Sequence, residues 1–257
     1  MTATTPRVFD EWLTQLERRH LADLRVPEVT RALRALSSAY VERRHKVASG
    51  ATLDSAGKRA AFALFYSPLH FLATFHVIQA LGATDGALRS IVDLGCGTGA
   101  AGAAWAIAAG GAPVVVGIDR HPWAVGEARW TYRQLRVSGQ ARQGDLTRAA
   151  IPPAGSAVVA AYALNELPDA VRTQVEARLI DAAAAGTRVL VLEPIARALT
   201  PWWDQTAERV MRAGGRADEW RLPVELPPIV RLLDRAAGLN HRELKLRSIY
   251  MPSRRDE

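Results

Sequence analysis

Three glycines and two acidic residues form the part of this sequence with the clearest chemical meaning. Residues 91–99 read Ile-Val-Asp-Leu-Gly-Cys-Gly-Thr-Gly, and a second apolar run, Val114–Asp119, also ends on an acid. Glycines carry no Cβ, so they let the backbone turn sharply and approach a ligand. An acid at the end of the next strand, such as Asp119, accepts hydrogen bonds from ribose hydroxyls. The spacing therefore predicts a site for a nucleotide-like ligand.

The turn fits two kinds of nucleotide-like ligand, and the acid beside it favours one of them. Gly95-x-Gly97-x-x-Ala100 satisfies the loose fingerprint of dinucleotide-binding proteins. Together with Asp93, Gly95-x-Gly97-x-Gly99 resembles motif I of class I S-adenosylmethionine (SAM)-dependent methyltransferases. A carboxylate here repels a pyrophosphate and attracts the sulfonium and ammonium groups of SAM. SAM is therefore the favoured ligand, and a dinucleotide is the alternative.

The elements that must position these residues alternate between strand and helix. This alternation is typical of an α/β fold, a doubly wound and mostly parallel sheet of the Rossmann-like class. The predicted parallel strands are Ser90–Leu94, Pro113–Ile118, Gln140–Gln143, Ala157–Ala163 and Val189–Leu192. Ligands of such sheets lie at the carboxyl ends of the strands. Polar side chains fall at or near these ends: Asp93, Asp119, Asp145, Asn165 and Glu193.

Two regions flank this alternation. Residues 1–86 are expected to form a helical N-terminal extension or lid, and residues 87–257 the SAM-binding domain. Within the extension, Arg59–Leu81 has helical spacing with a joint at Tyr66–Pro68, because proline starts, kinks or ends a helix.

The C-terminal segment is predicted to complete the sheet. Arg242–Met251 alternates between apolar and polar residues, as a half-exposed strand does. We expect it to be an antiparallel closing strand, with Glu219–Val224 as its candidate partner.

Composition restricts the partners. The net charge is +7, which favours an acidic partner such as RNA, although the scarcity of lysine against arginine also fits a GC-rich genome. One cysteine excludes an internal disulfide and a cysteine-cage metal site, so no metal is predicted. We expect no apolar run of membrane-spanning length and no signal peptide, and hence no membrane partner and a cytoplasmic location. The oligomeric state is not indicated.

From about Leu88 onward, the sequence resembles class I SAM-dependent methyltransferases. The resemblance implies that the motif I residues surround the methionine part of SAM: Asp93, Gly95, Cys96, Gly97 and Gly99. It implies that Asp119 binds the ribose, and that Arg120 and His121 cover one face of the adenine. It also implies that Asp145 binds the adenine amino group and that Leu146 touches the ring.

A narrower resemblance concerns the methyltransferase-like family associated with the ribosomal small subunit. It is carried by Tyr66-x-Pro68, Ala161–Pro168 and Leu190–Pro194. Many members carry several cysteines able to hold a metal cluster, whereas the one cysteine here is Cys96, in the turn. The resemblance implies a role near ribosomal RNA, without the iron–sulfur role.

The segment after the fourth strand is expected to face donor and acceptor, with Tyr162 beside the donor. Four residues are candidates for the catalytic site, each with a structural alternative. Asn165 positions the acceptor or caps the following helix. Glu166 is a base or the favourable anion of a helix first turn. Glu193 lines the acceptor pocket or bonds the backbone at its strand end, and Tyr66 covers the cofactor, enters the acceptor pocket or belongs to the core.

Several conspicuous side chains are given structural interpretations instead. His70 and His76 are expected to pack in an apolar helix, and Trp202–Trp203 to belong to the core. We expect the following residues to lie at the surface: His20, His45, His241 and the charged run Glu42–Lys46.

Three functions are compatible with these patterns. The leading hypothesis is a SAM-dependent methyltransferase whose acceptor is RNA, with ribosomal RNA as one candidate, or a small molecule. The second is a catalytically silent, SAM-binding ribosome-assembly factor. The third is an NAD(P)-dependent oxidoreductase.

Overall fold

A seven-stranded sheet forms the centre of the protein. The computed structural model describes residues 4–42, 53–84 and 86–253. The strand order is β3-β2-β1-β4-β5-β7-β6, in which β1 to β5 are parallel and β7 is antiparallel to both of its neighbours. The strands are β1 Ser90–Leu94, β2 Val114–Asp119, β3 Gly139–Gln143, β4 Ala157–Ala161, β5 Arg188–Pro194, β6 Arg216–Leu222 and β7 Leu244–Met251. The predicted α/β fold class is confirmed.

Nine α-helices among the described residues surround the sheet. They are α1 Arg7–His20, α2 Val26–Glu42, α3 Ala56–Ala61, α4 Ser67–Leu81, α5 Ala100–Ala109, α6 Pro122–Gln134, α7 Asp169–Ala184, α8 Trp203–Arg212 and α9 Pro228–Ala237. Helix α5 is rich in alanine, and Ala103 and Ala104 are fully buried. Their small side chains let α5 pack closely against the sheet and α4.

The strand predictions are confirmed, with small differences in their bounds. The fourth strand ends at Ala161 rather than Ala163, because Tyr162 adopts a left-handed backbone with φ of 58° that leaves the extended conformation. The partner of the closing strand is the predicted one, although it begins at Arg216 and ends at Leu222. In this pair, Glu219 lies opposite Arg247.

The joint predicted at Tyr66–Pro68 is a widened helical turn. Helix α4 begins at Ser67 with a proline in its first turn, as predicted, but a π-helical turn, Phe62–Tyr66, connects it directly to α3. The Ser67 N–H donates to the carbonyl of Phe62, five residues earlier. This wider turn accommodates the missing N–H of Pro68 without a break in the helical path.

The continuous helical segment Ala56–Leu81 corrects one expectation. By length and composition it is long and apolar enough to cross a membrane, whereas no such run was expected. Most of the segment is buried inside the protein, and core helices pass the same test. Its apolar residues therefore belong to the protein's own core.

One hydrophobic core joins the N-terminal helices to one face of the sheet. The rings of Phe9 and Phe71 stack with centroids 4.7 Å apart, and Trp12 lies 5.8 Å from Phe71. The same cluster of buried residues continues to Ala104 of α5 and Ile91 of β1. A second core on the opposite face contains Trp202 and Trp203. The predicted core placement of this tryptophan pair is confirmed.

Candidate active site

The glycine turn between β1 and α5 is tied to the end of β2. The N–H groups of Gly95 and Cys96 donate to the carbonyl of Ile118 at 2.9 and 3.0 Å. Gly95 has a φ of +68°, and a Cβ added there would lie 2.8 Å from the Cβ of Ala163. Only glycine satisfies both the backbone conformation and this close approach. The turn therefore presents bare backbone to the space above the sheet.

Asp119 joins the two sides of this space. Its Oδ2 accepts from the N–H of Gly97 at 2.9 Å, and its Oδ1 accepts from the N–H of His121 at 2.8 Å. A carboxylate has about four lone-pair positions. Each oxygen of Asp119 therefore keeps the capacity to accept one further hydrogen bond, such as one from a ribose hydroxyl.

Asp93 lies beneath the turn and is only 1% exposed. Its Oδ2 accepts from the N–H of Gly102, in the first turn of α5, at 2.9 Å. Burial raises the pKa of Asp93 to about 7; the hydrogen bond from Gly102 opposes this rise and the charge of Asp119 adds to it. The carboxyl group changes charge near neutral pH, and a cation bound nearby favours its ionised form.

The remaining glycine and the cysteine of the turn serve packing. Gly99 has a φ of +79°, and a Cβ there would meet the Tyr132 ring at 2.7 Å. Gly99 does not line the cavity described below. Cys96 does, but burial raises the pKa of its thiol, so the thiol stays neutral. A neutral, buried thiol is a poor nucleophile.

A single cavity of about 1250 Å³ covers the carboxyl ends of the strands. This volume exceeds the range of roughly 300–1,000 Å³ that holds one drug-sized ligand. One half, the donor half, contains the glycine turn and the end of β2, and its predicted residues are Asp93, Gly95, Cys96, Gly97, Asp119, Arg120, His121 and Leu146. The other half, the chamber, is bounded by α4, the π turn and residues 239–245.

Five side chains with aromatic rings line one side of the chamber. This aromatic wall consists of Phe62, Phe65, Tyr66, His70 and Tyr162, all of which line the cavity. His70 stacks on Tyr162 with ring centroids 4.3 Å apart and planes 19° apart. Tyr66 lies 6.2 Å from His70 and 5.3 Å from Phe65. The wall leads from the donor half into the chamber.

Tyr162 occupies a costly backbone conformation at the centre of this wall. A left-handed φ of 58° is unusual for a bulky side chain. The conformation is held by a 2.7 Å hydrogen bond from the Tyr162 N–H to the carbonyl of Leu192, at the end of β5. Strain of this kind clusters at functional sites.

Asn165 and Glu166 line the cavity, and their structural alternatives do not hold. The residue before the first turn of α7 is Pro168, so Asn165 does not cap that helix. The Oδ1 of Asn165 is buried without a hydrogen-bond partner among the described residues. Glu166 lies in a short 3₁₀ turn before the helix, whose first turn instead contains Asp169.

The carboxyl group of Glu166 also titrates near neutrality. Burial raises its pKa to about 7, helped by the charge of Asp119 and opposed by Arg120. Glu166 can therefore exchange a proton inside the cavity at neutral pH.

Glu193 and Asp145 do not line the cavity, although they stand beside residues that do. Glu193 is fully buried, and its Oε1 accepts from the N–H groups of Leu164 and Asn165 at 2.9 and 3.1 Å. Of its two predicted roles, the structure shows the backbone-bonding one. The Oδ1 of Asp145 accepts from the N–H of Thr147 at 2.9 Å.

The histidine predictions are partly wrong. His76 is buried, as predicted, but His70 lines the cavity rather than packing in the core. His20 is not a free surface residue, because its Nε2 lies 2.7 Å from the Oε1 of Glu127. His241 also lines the cavity. His45 and most of the charged run Glu42–Lys46 lie outside the described residues.

Apart from Tyr66 and Tyr162, sequence reasoning missed the residues that form the chamber. One signal was present for α4 and the π turn, because Phe62, Tyr66 and His70 recur every four residues and so share one helical face. A proline two residues after Tyr66 marks the same place. For His241 there was no comparable signal, because a connection between a helix and an antiparallel strand brings it to the cavity.

The residues of the donor half fit SAM. The glycine turn brings bare backbone to the cavity, and Asp119 retains acceptor capacity for a ribose. The buried carboxyl of Asp93, which lines the cavity, offers negative charge to a sulfonium or ammonium group. Together these groups suit a ligand with hydroxyls and positive charge.

Comparisons with known proteins agree with this chemistry. Residues 91–186 match the family model described as "Methyltransferase domain". No curated protein matches the chain in sequence. Among solved structures, the chain is similar to magnesium protoporphyrin IX methyltransferase from Synechocystis PCC 6803 with bound SAM (16% identity, 97% of this chain and 98% of that chain, TM-score 0.47).

Two further solved structures are similar to the chain. One is a SAM-dependent methyltransferase from Aquifex aeolicus (15% identity, 72% and 91% of the two chains, TM-score 0.48). The other is mitomycin 7-O-methyltransferase (18% identity, 85% and 60%, TM-score 0.49). The match to the methyltransferase domain covers the sequence that builds the turn, β2 and the segment after β4. Residues 91–186 therefore belong to a methyltransferase domain, and the residues of the donor half suit SAM as its cofactor.

Proposed function

We propose that this protein is a SAM-dependent methyltransferase that acts on a small acceptor bound in the chamber, next to SAM in the donor half. The observation that carries the proposal is the continuity of one large cavity from the glycine turn to the aromatic wall. SAM supplies a methyl group on a sulfonium, which needs no further activation. The protein's task is then to align the acceptor with that methyl group and to remove any proton the acceptor carries.

The donor half is assigned the roles that the sequence predicts. Asp119 accepts from the ribose hydroxyls, and Arg120 and His121 cover the adenine. The turn approaches the methionine part, with Asp93 providing negative charge beneath it. Asp145 stands at the cavity's edge, where it reaches an adenine amino group, with Leu146 against the ring.

The chamber side is assigned to the acceptor. Tyr66 and Tyr162 bound the space in which the acceptor lies, and Asn165 lines the same cavity. Glu193 acts as a positioning residue, because its bonds to two backbone N–H groups fix the Asn165 segment. Residues 1–86 are proposed to form an extension that builds this wall.

RNA is the second candidate acceptor, and the charge of the chain favours it. The net charge is +7, and Arg120 stands at the cavity. The narrower family resemblance points the same way, since Tyr66, the Tyr162–Pro168 segment and Pro194 lie on or beside the cavity. A small acceptor is favoured because the aromatic wall forms a large part of the chamber, although the cations Arg242 and Lys245 also line it.

A size change in the chamber tests the proposal. Leu69→Trp adds volume to the chamber wall, whereas Leu232→Trp makes the same change at a half-exposed position away from the cavity. We expect both variants to bind SAM with unchanged affinity by calorimetry. With labelled SAM and a cell lysate, only Leu69→Trp should lose methylation of the small-molecule fraction.

Other outcomes identify the competing functions. Label that enters RNA, resists Leu69→Trp and falls steeply with salt identifies RNA as the acceptor, because phosphate contacts release counterions. SAM binding with no label in any fraction identifies a catalytically silent assembly factor. Failure to bind SAM overturns the proposal altogether.

A further inference from the structure

A histidine reaches the chamber from the C-terminal side of the sheet. Because β7 is antiparallel, its first residues lie beside the end of β5, at the edge where the parallel strands end. The connection from α9 to β7 therefore crosses the chamber, and His241 of this connection lines it. Two left-handed residues, Gly238 and Asn240, turn the chain just before His241.

A buried carboxylate fixes the orientation of this histidine. Asp234, in α9, is 2% exposed, and its Oδ1 lies 2.5 Å from the Nδ1 of His241. Its Oδ2 accepts from the backbone N–H of His241 at 2.8 Å. Two hydrogen bonds accepted by one carboxylate thus hold both the ring of His241 and its backbone. The ring bond selects the neutral tautomer with its proton on Nδ1.

The second ring nitrogen of His241, Nε2, is available to accept a proton. Nε2 of His241 has no hydrogen-bond partner among the described residues, and the His241 side chain is 38% exposed. Phe65 of the aromatic wall lies 6.0 Å from the imidazole, ring to ring. The neighbouring charges of Glu243 and Lys245 pair with each other at 3.2 Å. The Nε2 of the imidazole is therefore free to accept a proton beside the aromatic wall, on a side of the chamber that Arg242, Glu243 and Lys245 also line.

We propose that His241, positioned by Asp234, is the general base for an acceptor whose nucleophile is a hydroxyl on an apolar, phenol-like skeleton. This inference rests on the proposed function. A neutral hydroxyl is a weak nucleophile, and a positioned base removes its proton as it reacts. The rings of the aromatic wall supply the apolar surface for the skeleton.

The proton and the electrons balance in this step. The acceptor oxygen forms a bond to the methyl carbon while the carbon–sulfur bond breaks, and that electron pair stays on sulfur. The hydroxyl proton passes to Nε2 of His241, and the Asp234 carboxylate stabilises the imidazolium. The partly exposed ring then releases the proton to water. The products are the methyl ether, S-adenosylhomocysteine and a proton.

The chain contains a matched control for this pair. His20 and Glu127 form a second histidine–carboxylate pair, with Nε2 2.7 Å from Oε1, but neither residue lines the cavity. The variants are therefore His241→Gln, Asp234→Asn and, as control, His20→Gln. Because Asp234 is buried, His241→Gln at a more exposed position keeps the test independent of folding.

Methyl transfer from labelled SAM to phenols provides the first measurement. The probes are 4-methylphenol and 2-naphthol, which are neutral near pH 7, and 4-nitrophenol, which is largely ionised. We expect His241→Gln to lower kcat for the neutral phenols by about 100-fold or more. The loss for 4-nitrophenol should be much smaller, since no proton needs removal. His20→Gln should match the wild type, and SAM affinity should be unchanged in all variants.

Nitrogen-15 NMR of the histidines gives a second measurement without substrate. The wild type should show His241 as the tautomer protonated on Nδ1, and Asp234→Asn should abolish that preference. The inference is overturned if SAM binds but neither neutral phenol is methylated, if His241→Gln affects all three phenols equally, or if the tautomer is insensitive to Asp234. Failure to bind SAM refutes the proposed function, and this inference with it.

Discussion

The buried carboxyl of Asp93 makes the affinity for SAM depend on pH. Its pKa is raised to about 7, chiefly by burial, so about half of the groups are ionised at pH 7 and about one tenth at pH 6. Only the ionised form offers negative charge to the cation. Because the ionised form of Asp93 is the one that binds SAM well, the apparent affinity for SAM scales with the population of that form. Between about pH 7 and pH 6, the Kd for SAM should therefore rise about fivefold.

The same titration of Asp93 affects folding stability in the opposite direction to SAM affinity. Both effects can be measured on the same samples. An unfolded Asp93 titrates near 3.8, so between about pH 4 and pH 7 the folded protein binds the additional proton. This contribution to stability is present at low pH and is lost as the pH rises through about 7. Lower pH thus weakens SAM binding while this group stabilises the fold.

Calorimetric titration with SAM at several pH values tests the reasoning. Asp93→Asn keeps an acceptor for the Gly102 N–H but has no charge, so its affinity should be lower at pH 7 and nearly independent of pH. Glu166→Gln is the control, because Glu166 also titrates near 7 in the cavity. The variant should keep the slope of the wild type. A flat wild-type profile, or an unchanged slope in Asp93→Asn, would refute the electrostatic role of Asp93.

Two further predictions concern stability and the turn. Burial raises the pKa of Glu193 to about 8, so its own contribution to stability should fall by up to about 1.4 kcal/mol per pH unit from about pH 5 to pH 8, and Glu193→Gln should make the wild-type slope in urea denaturation shallower by that amount. Gly95→Ala should reduce SAM affinity at least about tenfold, because its Cβ meets Ala163 at 2.8 Å. Gly110→Ala, with φ of +73° but no close neighbour, should cost about 1–2 kcal/mol of stability and leave affinity intact. Equal affinities for the two alanine variants would contradict the steric explanation.

The donor half was predictable from sequence because its signals are local. The turn around Gly95 and the acid at Asp119 belong to consecutive strands, and their spacing alone brings them to one edge of the sheet. The alternation of strand and helix likewise predicted that the first five strands are parallel. The sequence did not determine which groups some of these side chains contact, because packing decides that. Glu193 is an example, since the sequence allowed it to face either a ligand or the backbone.

The chamber could not be derived in this way. Phe62 and His70 look like core residues because the helix that carries them is apolar on almost every side. Which face borders a cavity is decided by how α4 crosses the ends of the strands. A histidine between a helix and a strand, such as His241, carries no spacing signal at all.

The sequence by itself determined the sheet, the glycine turn and the class of ligand, since each depends on residues within a few positions of one another or on the regular repeat of strand and helix. Tertiary structure alone decided the shape of the second half of the cavity. Asp234 and Asp93 show the difference. Both are buried carboxylates, but the partner of Asp93 lies in the adjoining helix, whereas Asp234 orients a histidine whose place in the chamber exists only once β7 has paired with β5.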